Sequence, residues 1–166
     1  MKAILANEKD IPTLQKLAKK IWKETYTQIL SNEQIQYMLE QMYSYDEIYH
    51  HLQSPAWKYY LLTDDHHKYL GFIGFEKNYE KDTTKLHRIY LLAQSKGMGL
   101  GTFAIEQMIK SINKENSRII LNVNKYNSAR GFYEKLGFKI YGKGVFDIGN
   151  GYVMDDYLME LILPKP

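Results

Sequence analysis

The sequence contains no cysteine. This absence excludes disulfide bonds, thiolate metal sites and a cysteine nucleophile. Apolar runs of membrane-spanning length are also missing, and the short apolar stretch from Met1 to Ala6 meets polar residues too soon to form a signal peptide. We therefore expect a cytoplasmic protein that has no membrane partner.

A large excess of charge of either sign is also absent. The 22 basic and 19 acidic residues leave a net charge of +3, and the basic residues form no continuous stripe. This pattern disfavours a nucleic-acid partner. The histidines include two adjacent pairs, at 50–51 and 66–67, and lack the spacing of metal ligands, so we expect no metal site.

The rest of the composition is typical of a globular domain. Hydrophobic residues make up 45% and charged residues 25% of the 166 positions. A chain of this length buries roughly two-thirds of its unfolded surface, so one domain over residues 1–166 is expected. Fifteen tyrosines are unusual. Most are expected in packing positions, and a few could line a pocket for a cationic ligand.

The apolar pattern predicts strands and helices in mixed order. Strands are predicted over residues 2–6, 57–63, 69–75, 86–92, 118–123, 139–146 and 152–163. Helices are predicted to begin near Asp10, Ser31, Tyr45 and Leu100, the last extending to about residue 115, and a short one ends at Gly137. Alternating strands and helices favour parallel pairing in the second half, whereas the flanking hairpins favour antiparallel pairing. The prediction is a mixed sheet.

The stretch from Lys96 to Thr102 is the most informative motif. It carries glycines at positions 97, 99 and 101, between a predicted strand and a predicted helix. Glycines let backbone N–H groups approach a ligand, and a helix N-terminus favours negative charge. An ordinary turn would need only one glycine. The motif fits neither the nucleotide-triphosphate loop nor the dinucleotide fingerprint, which leaves a diphosphate ligand of another kind.

A second segment, from Asn127 to Phe138, follows this loop after one helix and one strand. In this order the two segments resemble the acyl-CoA-binding core of the GCN5-related N-acetyltransferases, the GNAT family. The resemblance also covers the N-terminal strand and helix and the closing strand pair. It implies an α/β fold with a six- or seven-stranded mixed sheet and helices on both faces. In that fold the strands at 86–92 and 118–123 splay apart around acetyl-CoA.

The resemblance also implies which residues bind the coenzyme. Main-chain groups of Leu91, Leu92 and Ala93 are implied to bond to the pantetheine arm, which would pair with β-strand residues as an added strand does. Binding of the diphosphate is implied for Lys96 and Gly97 and for the amides of Met98, Gly99, Leu100, Gly101 and Thr102. The implied set also includes Asn127, Ala129, Arg130 and Tyr133, with Asn127 and Tyr133 near the sulfur.

Lys96 departs from the family pattern, in which Gln or Arg usually begins the loop. A register with Gln94 in that place would shorten the connection after Tyr90, so we prefer Lys96. Lysine still favours a phosphate, but as a point charge without the planar fork of arginine.

A narrower likeness concerns the acceptor. Several segments are similar to bacterial spermidine/spermine N-acetyltransferases: His87 to Tyr90, Asn127 to Phe138, and Gly144, Phe146 and Gly149 followed by Asp156 and Met159. This implies acetyl transfer to a polyamine. A peptide or protein amine, an aminoglycoside and a non-catalytic acyl-CoA-binding module stay open. Acidic residues of the early helices and hairpins either attract a polycation or only solubilise the surface: Asp46, Glu47, Asp64, Asp65, Glu76, Glu80 and Asp82.

Acetyl transfer to an amine requires proton transfer. An alkyl ammonium ion has a pKa of about 10.4, so losing its proton at pH 7 costs about 4.6 kcal/mol. Candidate proton acceptors are His87, Glu76, Glu80 and Glu24, any of which is otherwise a solvated surface group. Tyr133, otherwise a core tyrosine, is the candidate acid that protonates the CoA thiolate.

Two further expectations concern the mechanism and the assembly. Because the chain has no cysteine and no Ser-His-Asp spacing, we expect direct attack in a ternary complex. A backbone N–H on the splayed strand would stabilise the oxyanion. The closing strand at 152–163 could exchange or pair with a second copy in a homodimer.

Overall fold

The computed structural model describes residues 1–112 and 114–164. Its strands are β1 (Lys2–Leu5), β2 (Trp57–Thr63), β3 (Tyr69–Glu80), β4 (Thr83–Leu91), β5 (Arg118–Asn124), β6 (Lys139–Gly149) and β7 (Tyr152–Ile162). Its helices are α1 (Ile11–Tyr26), α2 (Asn32–Met42), α3 (Tyr45–Gln53), α4 (Leu100–Ile112) and α5 (Ala129–Lys135). The strands form one seven-stranded sheet in the order β1-β2-β3-β4-β5-β7-β6.

Both types of strand pairing occur in this sheet. The β4 and β5 strands run parallel. Every other neighbouring pair of described strands is antiparallel. The mixed sheet predicted from the sequence is confirmed.

Alternating side chains along the strands build two cores, one on each face of the sheet. On β3, Phe72 belongs to the core under α1, α2 and α3, together with Leu14 and Trp22. Its neighbours Ile73 and Phe75 belong to the opposite core, with Met108 of α4. Helices therefore cover both faces, as predicted.

Local sequence signals fix the helix ends. The first turn of α1 contains Pro12, where a missing N–H is tolerated. At the start of α2 the Ser31 hydroxyl accepts a hydrogen bond from the Gln34 amide at 3.1 Å. After α5 the chain reverses at Gly137, whose φ is 93°, and such left-handed residues commonly end helices.

Two element boundaries differ from the prediction. The β3–β4 hairpin is longer than expected, because polar residues that lack strand alternation still pair, as Glu80 does with Thr83. Helix α4 ends at Ile112, and the amides of Glu115 and Asn116 bond back to its carbonyl at 2.8 and 2.9 Å. The predicted extension of that helix to residue 115 is wrong.

The position of β7 limits how a dimer could form. This strand lies between β5 and β6 and bonds to both. From Asp156 to Glu160 both sides of the strand are paired, so that part of β7 could join a second copy only by exchange. None of the described helices is both long and apolar enough to cross a membrane.

Candidate functional site

The two central strands separate at a defined point. Their parallel pairing ends at Leu86 and Leu121, the last described residues of the two strands that face each other. Beyond this pair β4 continues to Leu91 and β5 to Asn124. The predicted splay is therefore present, and it begins at the Leu86–Leu121 pair.

A β-bulge in β4 lies next to this point. On the side of β4 that faces β3, Leu86 pairs with Phe75 and Arg88 pairs with Gly74, which leaves His87 as an extra residue. A bulge bends its strand and increases the local twist. The bulge at His87 therefore turns the end of β4 away from β5.

A cavity of about 1010 Å³ occupies the space between the diverging strands. This volume is at the upper end of the range of about 300–1,000 Å³ that is typical of ligand sites. Its lining brings together residues that the sequence had placed in one site, among them Leu91, Gly99, Asn127 and Tyr133.

The glycine loop offers open space to a ligand. Gly97 and Gly99 have φ values of 81° and 74°, a conformation that glycine adopts at little cost. A Cβ atom built on either residue would meet nothing within 4 Å. Among the described residues, neither amide donates a hydrogen bond. The loop therefore forms an open cradle, and it needs glycine for its backbone conformation.

The first turn of α4 adds further amides to this cradle. The amides of Leu100, Gly101 and Thr102 lie where a helix provides no internal acceptor. Helical bonding begins at Phe103, whose amide donates to the Gly99 carbonyl at 3.0 Å. The Met98 amide, in contrast, donates to the Ser95 carbonyl at 3.1 Å and is engaged in the turn. The remaining free amides at the positive end of the helix dipole form an anion-binding site.

The main chain at the end of β4 is only partly free. The Leu92 amide donates to the Leu70 carbonyl of β3 at 2.8 Å, and the Ala93 amide donates to the Glu24 carboxylate at 3.1 Å. Because neighbouring residues alternate in direction, the main-chain groups of Leu91 and Ile89 point into the opening. Of the three residues predicted to pair with pantetheine, only Leu91 has an amide that points into the opening, because the Leu92 and Ala93 amides are already bonded. Ile89, which was not predicted, also points its main-chain groups into the opening.

The segment after β5 is ordered by side-chain hydrogen bonds. The Asn127 carbonyl oxygen accepts from the Ala129 amide at 2.9 Å, which sets the start of α5. Its amide nitrogen donates to the Tyr26 hydroxyl at 3.5 Å. Arg130 pairs with Glu134 at 2.8 Å on the outside of the helix. Asn127 thus joins α1 to α5 at the wall of the cavity.

Tyr133 of α5 lies in the wall of the cavity with 7% of its surface exposed. Its ring packs against Phe132 and Phe138 at centroid distances of 5.3 and 5.6 Å. Burial raises the pKa of Tyr133 well above its usual value. The hydroxyl therefore stays protonated at neutral pH and can act as a proton donor.

His87 lies in the wall near the point where the strands separate. Its Nε2 is 3.0 Å from the Glu76 carboxylate, and its ring stacks on Trp57 at 4.4 Å. Burial lowers the pKa of His87 to about 3, with smaller effects from Lys85 and His51. Burial also raises the pKa of Glu76. The neutral imidazole donates its Nε2–H to Glu76, which leaves the Nδ1 lone pair available.

A buried polar network lies behind His87, under α3. His51 Nδ1 accepts from the Tyr59 hydroxyl at 2.9 Å and from the Arg88 guanidinium at 3.2 Å. Its Nε2 lies 3.1 Å from Glu47, and Arg88 also donates to the Met42 carbonyl at 2.9 Å. Burial lowers the pKa of His51 to about 4, and the charge of Arg88 adds to this. The network holds β4 against α3 beside the bulge.

The other acidic candidates have separate partners. Glu80 pairs with Arg118 at 3.3 Å, and Glu24 accepts from the Ala93 amide. Asp65 pairs with the N-terminal ammonium group. Glu24 lines the cavity, whereas Glu80 and Asp65 are not among its lining residues. Across residues 1–112 and 114–164, no three metal-ligating side chains come together.

The sequence alone indicated no role for Asn122, and Asp156 was noted only as part of the likeness to spermidine/spermine acetyltransferases. Asn122 is exposed in the cavity wall although it lies within an apolar central strand. Asp156 of β7 faces Asn124 of β5 in the sheet register. Only 6% of its surface is exposed, and Asn122 lies close enough to the carboxylate to lower its pKa, against the larger upward effect of burial. The polar residues that interrupt β5 were the available sequence signal.

Known proteins share this architecture. The family model described as an acetyltransferase (GNAT) domain matches residues 26–153. The PaiA N-acetyltransferase of Thermoplasma acidophilum, solved in complex with coenzyme A, is 25% identical with a TM-score of 0.81, over 98% of this chain and 99% of that one. The spermidine N-acetyltransferase of Vibrio cholerae, solved with CoA and spermine, is 18% identical with a TM-score of 0.72, over 99% and 96%. At that identity the likeness shows the fold alone.

A curated relative matches part of the chain. The 5-NmdU N-acetyltransferase of Pseudomonas phage PaMx11 is 36% identical over 76 residues, which are 45% of this chain and 53% of the relative. The chain thus spans about half the length of that relative.

Proposed function

This chain belongs to the GNAT acetyltransferase family, and on that premise we propose that it transfers the acetyl group of acetyl-CoA to a primary amine. The observation that carries the proposal is the opening between β4 and β5, which has free amides at its glycine-rich end and Tyr133 in its wall. A non-catalytic acyl-CoA-binding module would have no need of a buried hydroxyl there.

The residues present suit acetyl-CoA. The amides of Gly97, Gly99 and the first turn of α4 bind the diphosphate, and the exposed Lys96 adds a positive charge. The main-chain groups of Leu91 and the carbonyl of Ile89 pair with the amide groups of the pantetheine arm in the manner of an added strand. When bound, the coenzyme supplies an activated thioester.

The chain's own residues manage the protons. An ammonium nitrogen that becomes an amide loses two protons, and the departing sulfur gains one, so one proton is released to solvent. Tyr133 donates the proton that the sulfur gains and is reprotonated from solvent. His87, oriented by Glu76, relays to solvent the proton that the nitrogen loses after attack, because its pKa of about 3 prevents it from keeping that proton. The Ile89 amide stabilises the oxyanion.

A polyamine such as spermidine or spermine is the acceptor class that we propose first. Two observations support this choice. The segment from His87 to Tyr90 and the residue Asp156 resemble those of spermidine/spermine acetyltransferases. The chain also shares the fold of such an enzyme. The phage relative bears the name of a different amine, 5-NmdU. We include that amine, lysine peptides and aminoglycosides among the alternatives.

We also propose that residues 1–166 act as one domain in the cytoplasm, where acetyl-CoA is made and used. Small amines are the proposed partners, without nucleic acid or membrane. A homodimer would form by exchange of β7.

The test is a panel of amines with acetyl-CoA, in which free thiol release is measured. The panel contains spermidine, spermine, a lysine peptide, an aminoglycoside and 5-NmdU. We expect saturable thiol release with at least one amine and acetylated product by mass spectrometry. Binding of CoA without thiol release above the rate of hydrolysis would favour a binding module instead.

A further inference from the structure

Asp156 is a buried carboxylate that is only partly satisfied. It is 6% exposed, and its Oδ1 has no hydrogen-bond partner among the described residues. Asn122, which is exposed in the cavity wall, lies two residues from Asn124, the partner of Asp156 in the sheet register. Tyr26, another wall residue, lies close enough for its charge state to depend on Asp156. The free oxygen therefore lies next to the cavity, behind residues that line it.

Such an arrangement is costly in the free protein. A buried charge is normally paired, and an unpaired one destabilises the fold. The nearby charged groups are Lys85 of β4, Lys125 after β5, and Asp155. Lys125 forms an ion pair with Asp155, and no described lysine bonds to Asp156. A cation that arrives with the substrate would satisfy the free oxygen.

The location suits the acceptor side of the reaction. Asp156 and Asn122 lie on the sheet face that carries α1, α2 and α3, because their neighbours Met159 and Leu121 point into the opposite core. In the register Asp156 faces Asn124, just past the Leu86–Leu121 pair where the strands separate. The carboxylate thus lies on β7, directly behind β5, which forms one wall of the opening.

We infer that Asp156 is the ammonium-binding residue of the acceptor site, and that it takes the first proton from the acceptor nitrogen before attack. This inference rests on the proposed function. The N–H bond of the ammonium ion breaks, an O–H bond forms on Asp156, and the neutral amine keeps the electron pair that attacks the acetyl carbon. Asp156 later releases this proton to solvent, while Tyr133 supplies the proton on sulfur.

The experiment compares Asp156→Asn with Asp155→Asn, its neighbour on the opposite face of β7. The acceptor is the most active amine of the panel. For Asp156→Asn we expect kcat/KM to fall at least about 100-fold and the acidic limb of its pH profile to disappear. The affinity for CoA stays the same, and the melting temperature is equal or higher, because an unpaired buried charge is removed. Asp155→Asn keeps wild-type activity.

Several results would overturn the inference. Near wild-type kcat/KM in Asp156→Asn excludes the proposed role. A melting temperature several degrees lower in Asp156→Asn than in Asp155→Asn assigns Asp156 a structural role instead.

Calorimetric titration of spermidine into the protein–CoA complex separates the ammonium site from the proposed acetyl transfer. If no amine is acetylated but spermidine binding is lost in Asp156→Asn, the ammonium site stands and the proposed function fails. If spermidine does not bind and no amine reacts, both are wrong.

Discussion

Leu86 of β4 and Leu121 of β5 are the last residues that pair between the two central strands. One residue later His87 forms the β-bulge that redirects β4. A parallel pair that stops halfway leaves main-chain groups without partners in the middle of a sheet, which is costly unless a ligand or water satisfies them. This cost supports our proposal that an extended ligand with peptide-like amides occupies the opening.

Removing the Tyr133 hydroxyl tests the proposed acid. Tyr133→Phe keeps the ring contacts with Phe132 and Phe138 but cannot protonate the thiolate. We expect kcat to fall by about 100-fold or more, with unchanged CoA affinity and melting temperature. Steady-state thiol release measures this, and Tyr141→Phe, on the exposed strand β6, serves as the matched control. Unchanged kcat in Tyr133→Phe would remove Tyr133 from the mechanism.

The glycine cradle is tested by adding one methyl group. Gly99 has a φ of 74°, and an L-residue in that conformation costs about 1–2 kcal/mol. In Gly99→Ala we expect the free loop to relax to another conformation, and CoA binding must then restore the strained one. The dissociation constant for CoA therefore rises about 5- to 30-fold. Gly131→Ala, in the exposed part of α5 with free space around it, should not weaken binding. Calorimetry on both variants decides the matter, and equal affinities would contradict the cradle.

Lys96 tests the electrostatic part of diphosphate binding. Lys96→Ala should weaken CoA binding about 3- to 10-fold at low salt and reduce the salt dependence of the affinity. Lys96→Arg should retain the affinity, because arginine offers a planar fork to phosphate. Lys110→Ala on α4 is the control. A salt dependence that is the same in Lys96→Ala and in the wild type would show that Lys96 does not contact the diphosphate.

The buried network around His51 makes stability depend on pH. Burial and the charge of Arg88 lower the pKa of His51 to about 4, below its unfolded value of about 6.5. The unfolded chain therefore binds more protons between these values, and stability falls as the pH drops through this window. His51→Gln should lose less stability between pH 7 and pH 5 than the wild type does, as measured by urea unfolding. His66→Gln, in an exposed turn, is the control and should show the same pH dependence of stability as the wild type. If His51→Gln also shows that wild-type pH dependence, His51 is excluded as the cause.

Much of the fold was readable from the sequence, because the signals are local. Alternation marked the strands, and the glycines from 97 to 101 marked a turn whose φ values require them at Gly97 and Gly99. The hairpin beyond Phe75 was missed because its residues are polar, and their pairing depends on contacts between the strands, such as that of Lys85 with the Tyr79 ring. Local patterns carry no information about such pairing.

The acceptor side of the site was harder to predict. Asp156 and Asn124 face each other although they are distant in sequence, and only the register of β5 with β7 brings them together. The bonds of Glu24 to the Ala93 amide and of Glu80 to Arg118 likewise depend on tertiary contacts. Sequence spacing alone therefore suggested several acidic residues without indicating that Glu24 lines the cavity and that Glu80 does not.

Calorimetric titration of the folded protein with CoA and with acetyl-CoA tests the coenzyme site most directly. We predict saturable binding of one coenzyme per chain, weakened in Gly99→Ala and retained in Tyr133→Phe. Absence of saturable heat with either compound, for protein whose folding is verified by circular dichroism, would contradict the assignment of the opening between β4 and β5 as a coenzyme site.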